Sequence, residues 1–315
     1  MKGFTMKKRS IAALGLATVA AGAVVAAERR WTRADDPSWA ADSLLPAGTN
    51  LAVATDDGAS IAVTVMGSGA DVVLAHGWTN ARQVWAPVAN RLVASGHRVI
   101  AYDQRGHGSS TVGTDGFTIP RLGADMQAVL EAVDARDAVL AGHSMGGMTI
   151  QSLVTHQPAV VDERATAIGL IAPAASGVGR RDIGPAAGRI LVSKVLDRAM
   201  RTRAGLSLVR GTIGKVATLN HLTLTRDLFV ATPAATRLGW FNAMQTMDLR
   251  EGIASIDIPV TVLVGTRDQL TPLDRATELV DTIPGAKLVT FDGLGHMLPL
   301  EAPDEVARAI EQAAV

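Results

Sequence analysis

The chain contains no cysteine. That excludes thiol nucleophiles, disulfides and thiolate metal sites, and it leaves the redox compartment open. An excess of either charge is also absent, because thirty Lys and Arg balance thirty Asp and Glu. Nothing in that balance points to a polyanionic partner, so no nucleic acid is expected. There is no internal repeat, and no low-complexity stretch beyond an Ala-rich N-terminus. Apolar residues make up 48% of the 315 and charged residues 19%. A chain of that size and balance is globular, and long enough for one large domain or one domain carrying an insertion.

Long apolar runs are scarce, with one exception. Lys7, Lys8 and Arg9 precede a charge-free run of 17 residues from Ile11 to Ala27, which Glu28, Arg29 and Arg30 close. A positive start before an apolar run marks a signal peptide, with Ala21-Gly22-Ala23 as a cleavage site. The same length is the lower limit for a membrane span. Residues 1–30 are therefore expected to be a signal peptide or membrane anchor. The protein would be anchored or secreted, with a cytoplasmic location as the alternative. Residues 31–48 are polar, with Pro37 and Pro46, and read as a linker or surface arm.

From Leu51 onward strand-like and helix-like segments alternate. Leu51–Thr55 and Ser60–Met66 flank a hairpin pattern, Asp56-Asp57-Gly58. Short apolar runs follow at 71–75, 98–102, 138–141, 167–172, 260–264 and 287–291. Helical spacing fills the intervals at 84–94, 119–133, 145–156, 273–282 and 303–314. Continuous apolar strands alternating with helices predict an α/β fold, a parallel sheet covered on both faces. Between about Ser176 and Arg250 the strands cease and apolar residues recur at helical spacing, as in Val195, Leu196 and Met200, then Leu238, Phe241 and Met244. The segment predicts a helical cap over the C-terminal sheet edge, where open α/β folds bind ligands. The core is thus divided into residues 49–175 and 251–315, with the cap at 176–250.

The segment Gly142-His143-Ser144-Met145-Gly146 places a G-x-S-x-G pattern between a strand-like and a helix-like run. A nucleophile elbow needs that context. The turn is too tight for side chains near Ser144, and Gly142 and Gly146 give the room. A serine hydroxyl also needs a base. Of seven histidines, His296 alone follows the last strand-like run on a loop at the same sheet edge. The other six read as structural residues. Asp268, just past the 260–264 strand, is placed to orient the imidazole, whereas Asp274 and Asp281 fall in or beside a helix. Backbone N–H groups of Met145, after the nucleophile, and of Trp78, after His76-Gly77, are the candidates for an oxyanion hole. The side chains of Met145 and Trp78 would then be free to shape the pocket.

Five segments match a known family in order: His76-Gly77-Trp78, Tyr102-Asp103-Gln104-Arg105-Gly106-His107-Gly108-Ser109, the Ser144 elbow, Gly265-Thr266-Arg267-Asp268 and Gly295-His296. From about Asn50 to its end the chain resembles the α/β-hydrolase superfamily, in its lidded serine esterase, lipase and perhydrolase branch. Ser144, Asp268 and His296 stand in the order this family uses. The resemblance implies an eight-stranded, mostly parallel sheet, an acyl-enzyme mechanism and no cofactor. It also implies that Asp103 and Arg105 belong to a structural turn. Relatives that hydrolyse epoxides or haloalkanes use an Asp nucleophile. Ser144 departs from that pattern, and with Tyr102 as the single tyrosine no pair of cap tyrosines exists to activate an epoxide.

The expected function is hydrolysis of a small-molecule carboxylic ester, lipid-like or of medium chain length. Perhydrolysis (cofactor-free haloperoxidase activity), C–C bond hydrolysis and amide or lactone hydrolysis use the same elbow. A non-catalytic small-molecule receptor on the same fold is the alternative of another class. From Ser176 to Arg250, ten Arg and two Lys stand against four Asp and no Glu, a net charge of +8. This raises a further expectation, that the cap's outer face meets an anionic membrane surface.

Overall fold

The computed structural model describes Pro37, residues 39–177, Gly188, Ile190 and residues 192–313. The expected signal peptide or anchor, residues 1–30, lies outside the described residues. No helix among those described is long and apolar enough to cross a membrane.

Eight strands form one sheet: β1 (Gly48–Ala54), β2 (Ser60–Gly67), β3 (Ala70–Ala75), β4 (His97–Tyr102), β5 (Ala138–His143), β6 (Ala165–Ile171), β7 (Val260–Gly265) and β8 (Lys287–Phe291). Their spatial order is β1-β2-β4-β3-β5-β6-β7-β8. Only β2 runs against its neighbours β1 and β4, and every other pairing is parallel. The hairpin joining β1 to β2 turns at Gly58, whose φ of +82° a side chain would resist.

Val72–Ala75 of β3 and Ala138–Gly142 of β5 are continuously apolar because both faces are covered. Alternate residues of β3 point to opposite cores: Val73 and Ala75 to one, Val72 and Leu74 to the other. The first core holds Leu122 and Met126 of α3 (Ile119–Ala132), Ile150 and Leu153 of α4 (Met145–His156) and Leu279 of α11 (Leu273–Thr282). Opposite lie Val88 and Leu92 of α2 (Ala86–Ala94) and Val306 and Ile310 of α13 (Pro303–Ala313). A short helix, α5 (Pro158–Arg164), leads from α4 into β6. Within the stretch read as a linker, α1 (Trp39–Asp42) forms, and Trp39 and Leu45 pack against the second core.

Between β6 and β7 the named elements are all helices: α6 (Lys194–Met200), α7 (Arg203–Arg210), α8 (Leu219–Ala231), α9 (Ala234–Thr246) and α10 (Arg250–Ile253). Three start on a hydroxyl N-cap, with Ser193, Thr202 and Thr218 accepting from Leu196, Ala204 and His221 N–H. Each cap is worth about 1 kcal/mol. The insertion rests on the loops at the C-terminal sheet edge. Trp240 of α9 is fully buried and donates its indole N–H to the Arg105 carbonyl at 3.1 Å. Lys215 N–H donates to the Gly293 carbonyl, and His296 N–H to the Thr212 carbonyl, each at 2.8 Å.

Candidate active site

Strand β5 ends at His143 and α4 begins at Met145, so Ser144 is the whole connection. Its backbone stands at φ +53°, ψ −116°, a conformation that costs a non-glycine residue on the order of 1–3 kcal/mol. The Ser144 N–H donates to the Ile171 carbonyl at 2.8 Å, and its own carbonyl accepts from Gly147 at 2.9 Å. A Cβ on Gly142 would collide with the Gly146 carbonyl, and one on Gly146 with the Ala75 carbonyl of β3. Close backbone approach therefore requires both glycines. Ser144 keeps 9% of its surface exposed.

Asp268 follows β7 by three residues and is buried. Its Oδ1 accepts the N–H groups of Leu270 at 2.8 Å and Thr271 at 2.9 Å, and its Oδ2 lies 2.7 Å from His296 Nδ1. Burial raises the carboxyl pKa. The His296 ring and the two N–H groups more than offset this, so the group lies below its ordinary value and stays ionised. Thr271 completes the cluster, its hydroxyl 2.8 Å from the Ala172 carbonyl, 2.9 Å from Asp268 Oδ2 and 3.1 Å from His296 Nδ1. Sequence reasoning missed Thr271. A hydroxyl residue three positions after an Asp in the loop beyond a strand is a local turn pattern that could have found it.

His296 lies beside the elbow. The ring of His143, next to Ser144, has its centroid 4.9 Å from that of His296, and His143 Nε2 is 2.8 Å from the His296 carbonyl. A carbonyl accepts only, so this nitrogen carries the proton of a neutral His143. Burial pushes its pKa down to about 3. Among the described residues the Ser144 hydroxyl makes no hydrogen bond. In free enzymes such contacts are often long and tighten when substrate binds.

The N–H groups of Trp78 and Met145 donate to no described residue. Both flank the serine. A Cβ on Gly77 would lie 3.2 Å from Ser144 Cβ and 3.0 Å from His143 Nδ1, so the His76-Gly77-Trp78 turn passes directly against the elbow. Buried histidines hold this turn. His76 Nε2 accepts the Gln104 N–H at 2.9 Å and His107 Nε2 accepts the Thr79 N–H at 3.1 Å. Burial lowers their pKa values to about 4 and about 3, so both serve as neutral acceptors.

The side chains of Met145 and Trp78 are not free to shape a pocket, as the sequence suggested. Met145 is fully buried in the first core. Trp78 is pinned, its indole N–H donating to the Arg237 carbonyl at 3.2 Å and its ring 6.1 Å from that of Phe241. Helix α9 is thereby tied to the His76-Gly77-Trp78 turn. Asp103 and Arg105 are structural, as the resemblance implies. Asp103 accepts the Arg82 and Ser109 N–H groups at 2.8 and 2.9 Å, while the fully buried Arg105 joins Asp57 and Asp125 at 2.6 and 2.7 Å. An open depression of about 1730 Å³, lined in part by Arg275, Glu278 and Leu273, touches Asp268 but neither Ser144 nor His296. Among the described residues, no group of three or more His, Asp or Glu is arranged to hold a metal ion.

A strand–turn–helix serine near a buried Asp–His pair, at the edge of this sheet, is the arrangement that hydrolases of the α/β type require. The model of the alpha/beta hydrolase family matches residues 72–309, and the chain belongs to that family. It is 30% identical over 256 residues to the pimeloyl-[acyl-carrier protein] methyl ester esterase of Xanthomonas campestris pv. campestris, covering 79% of this chain and 97% of the relative. Similarity to a non-heme chloroperoxidase of Kitasatospora aureofaciens is 27% over 266 residues, or 80% and 94% of the two chains. An esterase from a Rhodococcus species superposes with a TM-score of 0.72 at 25% identity, covering 84% of this chain and 97% of the other.

Proposed function

We propose that the protein hydrolyses a carboxylic ester through an acyl-enzyme intermediate. In this reading His296 takes the proton of Ser144 as its oxygen attacks the ester carbonyl, and the ion pair with Asp268 favours the resulting imidazolium. The N–H groups of Trp78 and Met145 hold the oxyanion. His296 then protonates the leaving alcohol. It next takes a proton from water, whose oxygen attacks the acyl carbonyl, and gives that proton to the departing Ser144 oxygen, releasing the acid and free Ser144. The 2.7 Å contact between Asp268 and His296, beside a serine held in a strained turn, carries the reading. The names of the esterase relatives agree with it.

The helices of residues 176–250 form the cap in this reading, and its apolar residues favour an apolar, lipid-like or medium-chain acyl group. Fluorophosphonate labelling of the full chain tests it. Labelling that Ser144→Ala abolishes, together with turnover of chromogenic esters, is expected. An unlabelled Ser144 would instead mark a receptor on the same fold. The chloroperoxidase relative favours one second reading, perhydrolysis, in which hydrogen peroxide replaces water in the last step and a peracid leaves. Peracid formation from an acyl donor and peroxide measures it.

A membrane location is the last part of the proposal. Arg198, Arg201 and Arg203 are exposed and have no ion pair among the described residues. Val195 and Leu208, on the same two adjoining helices, are 74% and 56% exposed. The chain enters the described body at α1, where Trp39 meets His221 of α8 with ring centroids 5.1 Å apart. An anchor in residues 1–30 would thus leave from the cap side and bring these cations to an anionic surface.

A further inference from the structure

Glu301 ends a four-residue helix, α12 (Leu298–Glu301), and is 9% exposed. Its Oε2 accepts the N–H groups of Gly214 at 2.6 Å and Gly295 at 2.9 Å, and its Oε1 accepts that of Met297 at 3.0 Å. Gly295 and Met297 flank His296 on either side. Gly214 belongs to the inserted segment, whose Thr212 carbonyl receives the His296 N–H. One carboxylate therefore gathers three backbone donors from two segments that meet only in the folded chain.

The chemistry of these contacts specifies an anion. All three partners donate, so both oxygens must accept. A protonated carboxyl would accept these N–H groups more weakly and add an O–H with no acceptor among the three, and an amide would set its NH₂ against at least one N–H. Burying a charged carboxylate is costly unless its partners compensate. A loop needing only a hydrogen-bonded plug would be served as well by a neutral group with fewer partners.

Resting on the hydrolase reading above, we propose that Glu301 is a positioning residue for His296. Its carboxylate fixes the His296 loop against the inserted segment, and its charge favours the imidazolium formed when Ser144 gives up its proton. The charged and titratable groups around the pair are few. His296 is faced by Asp268 from the loop after β7 and by neutral His143 from β5. The field of Glu301 also acts on Arg210 of α7, as does that of Arg267. Burial raises the Glu301 carboxyl above its ordinary value, against the pull of its three N–H donors and of His296.

The test compares wild type, Glu301→Gln, Glu301→Asp and Ser144→Ala as full chains hydrolysing p-nitrophenyl butyrate across the pH range. Glu301→Gln is expected to lower kcat about 10- to 100-fold with KM changed less than about threefold, the signature of lost orientation. The acid limb of kcat/KM reports the base of the free enzyme. It should move to lower pH by about half to one unit, because losing a nearby anion makes the imidazolium easier to deprotonate. Glu301→Asp keeps the charge and should leave the limb in place while losing part of kcat. A Gln variant with an unmoved limb overturns the proposal, whatever its kcat, and so does one with wild-type kcat. Should the Gln variant fail to fold, Glu301→Asp decides: reduced kcat with an unmoved limb upholds positioning, and any other result overturns it. Wild-type turnover by Ser144→Ala would instead refute the hydrolase reading, an outcome separate from either result at Glu301.

Discussion

Thr271 holds Asp268 from both sides of the carboxylate, its N–H 2.9 Å from Oδ1 and its hydroxyl 2.9 Å from Oδ2. The oxygen that faces His296 thus has a fixed direction, set by a residue three positions along the chain. Thr271→Val keeps the shape and the N–H but removes the hydroxyl. It should lower kcat roughly tenfold while costing about 1 kcal/mol of stability, the worth of one buried hydrogen bond. Ester turnover with a parallel urea melt measures both, and unchanged turnover would assign the hydroxyl to packing alone.

Ser144→Ala and His296→Ala should each cut ester turnover about 10⁴-fold with the fold intact. Asp268→Asn should cost less than loss of the serine and still orders of magnitude, because the amide cannot balance an imidazolium. Near wild-type kcat in Asp268→Asn would require another carboxylate to act on His296. Single-turnover kinetics on a chromogenic ester reads all three variants.

Acid should weaken the fold through three buried histidines. His76, His107 and His143 have folded pKa values of about 4, about 3 and about 3 against an ordinary 6.5. Below pH 6.5 the unfolded chain binds protons that the folded chain refuses, so stability falls as pH falls through that window. Each histidine contributes up to about 1.4 kcal/mol per pH unit. Above pH 6.5 both states are neutral and the effect vanishes. Thermal melts from pH 5 to pH 8 should show Tm dropping on the acid side. His107→Gln should flatten that slope, and an unchanged slope would remove His107 from the account.

The proposed membrane contact predicts salt-sensitive binding of the protein lacking residues 1–30 to vesicles containing phosphatidylserine, and none to phosphatidylcholine alone. Changing Arg198, Arg201 and Arg203 together to Gln should weaken that binding, each cation being worth about 1 kcal/mol near an anionic surface. Hydrolysis of short soluble esters should not change. Cosedimentation measures the binding, and equal or absent binding to both vesicles would leave the arginines as ordinary surface residues.

Much of the fold was legible because the central strands carry short continuous apolar runs, as Val72–Ala75 and Ala138–Gly142 do. The elbow was legible too, since Gly142 and Gly146 are required by backbone contacts that any strand–Ser–helix turn imposes. Boundaries were less so: β1 starts at Gly48 rather than Leu51, because its register with β2 pairs Gly48 with Met66 and extends the ladder past the apolar residues. Helix α1 was hidden in a polar stretch, and what orders it is contact, Trp39 against His221 and Asp42 against Arg91 at 3.2 Å.

By itself the sequence determined the layered α/β plan, the helical insertion and the order of Ser144, Asp268 and His296. Periodicity and turn chemistry act between residues a few positions apart, and a reader of the chain can see them. Only the tertiary structure decided that Met145 is core, that Trp78 is tied to α9, and that Glu301 binds Gly214 across 87 residues of chain. The carboxylate's partners there are backbone N–H groups, which every residue but proline possesses. No side-chain pattern encodes which of them a fold will bring to a given acid.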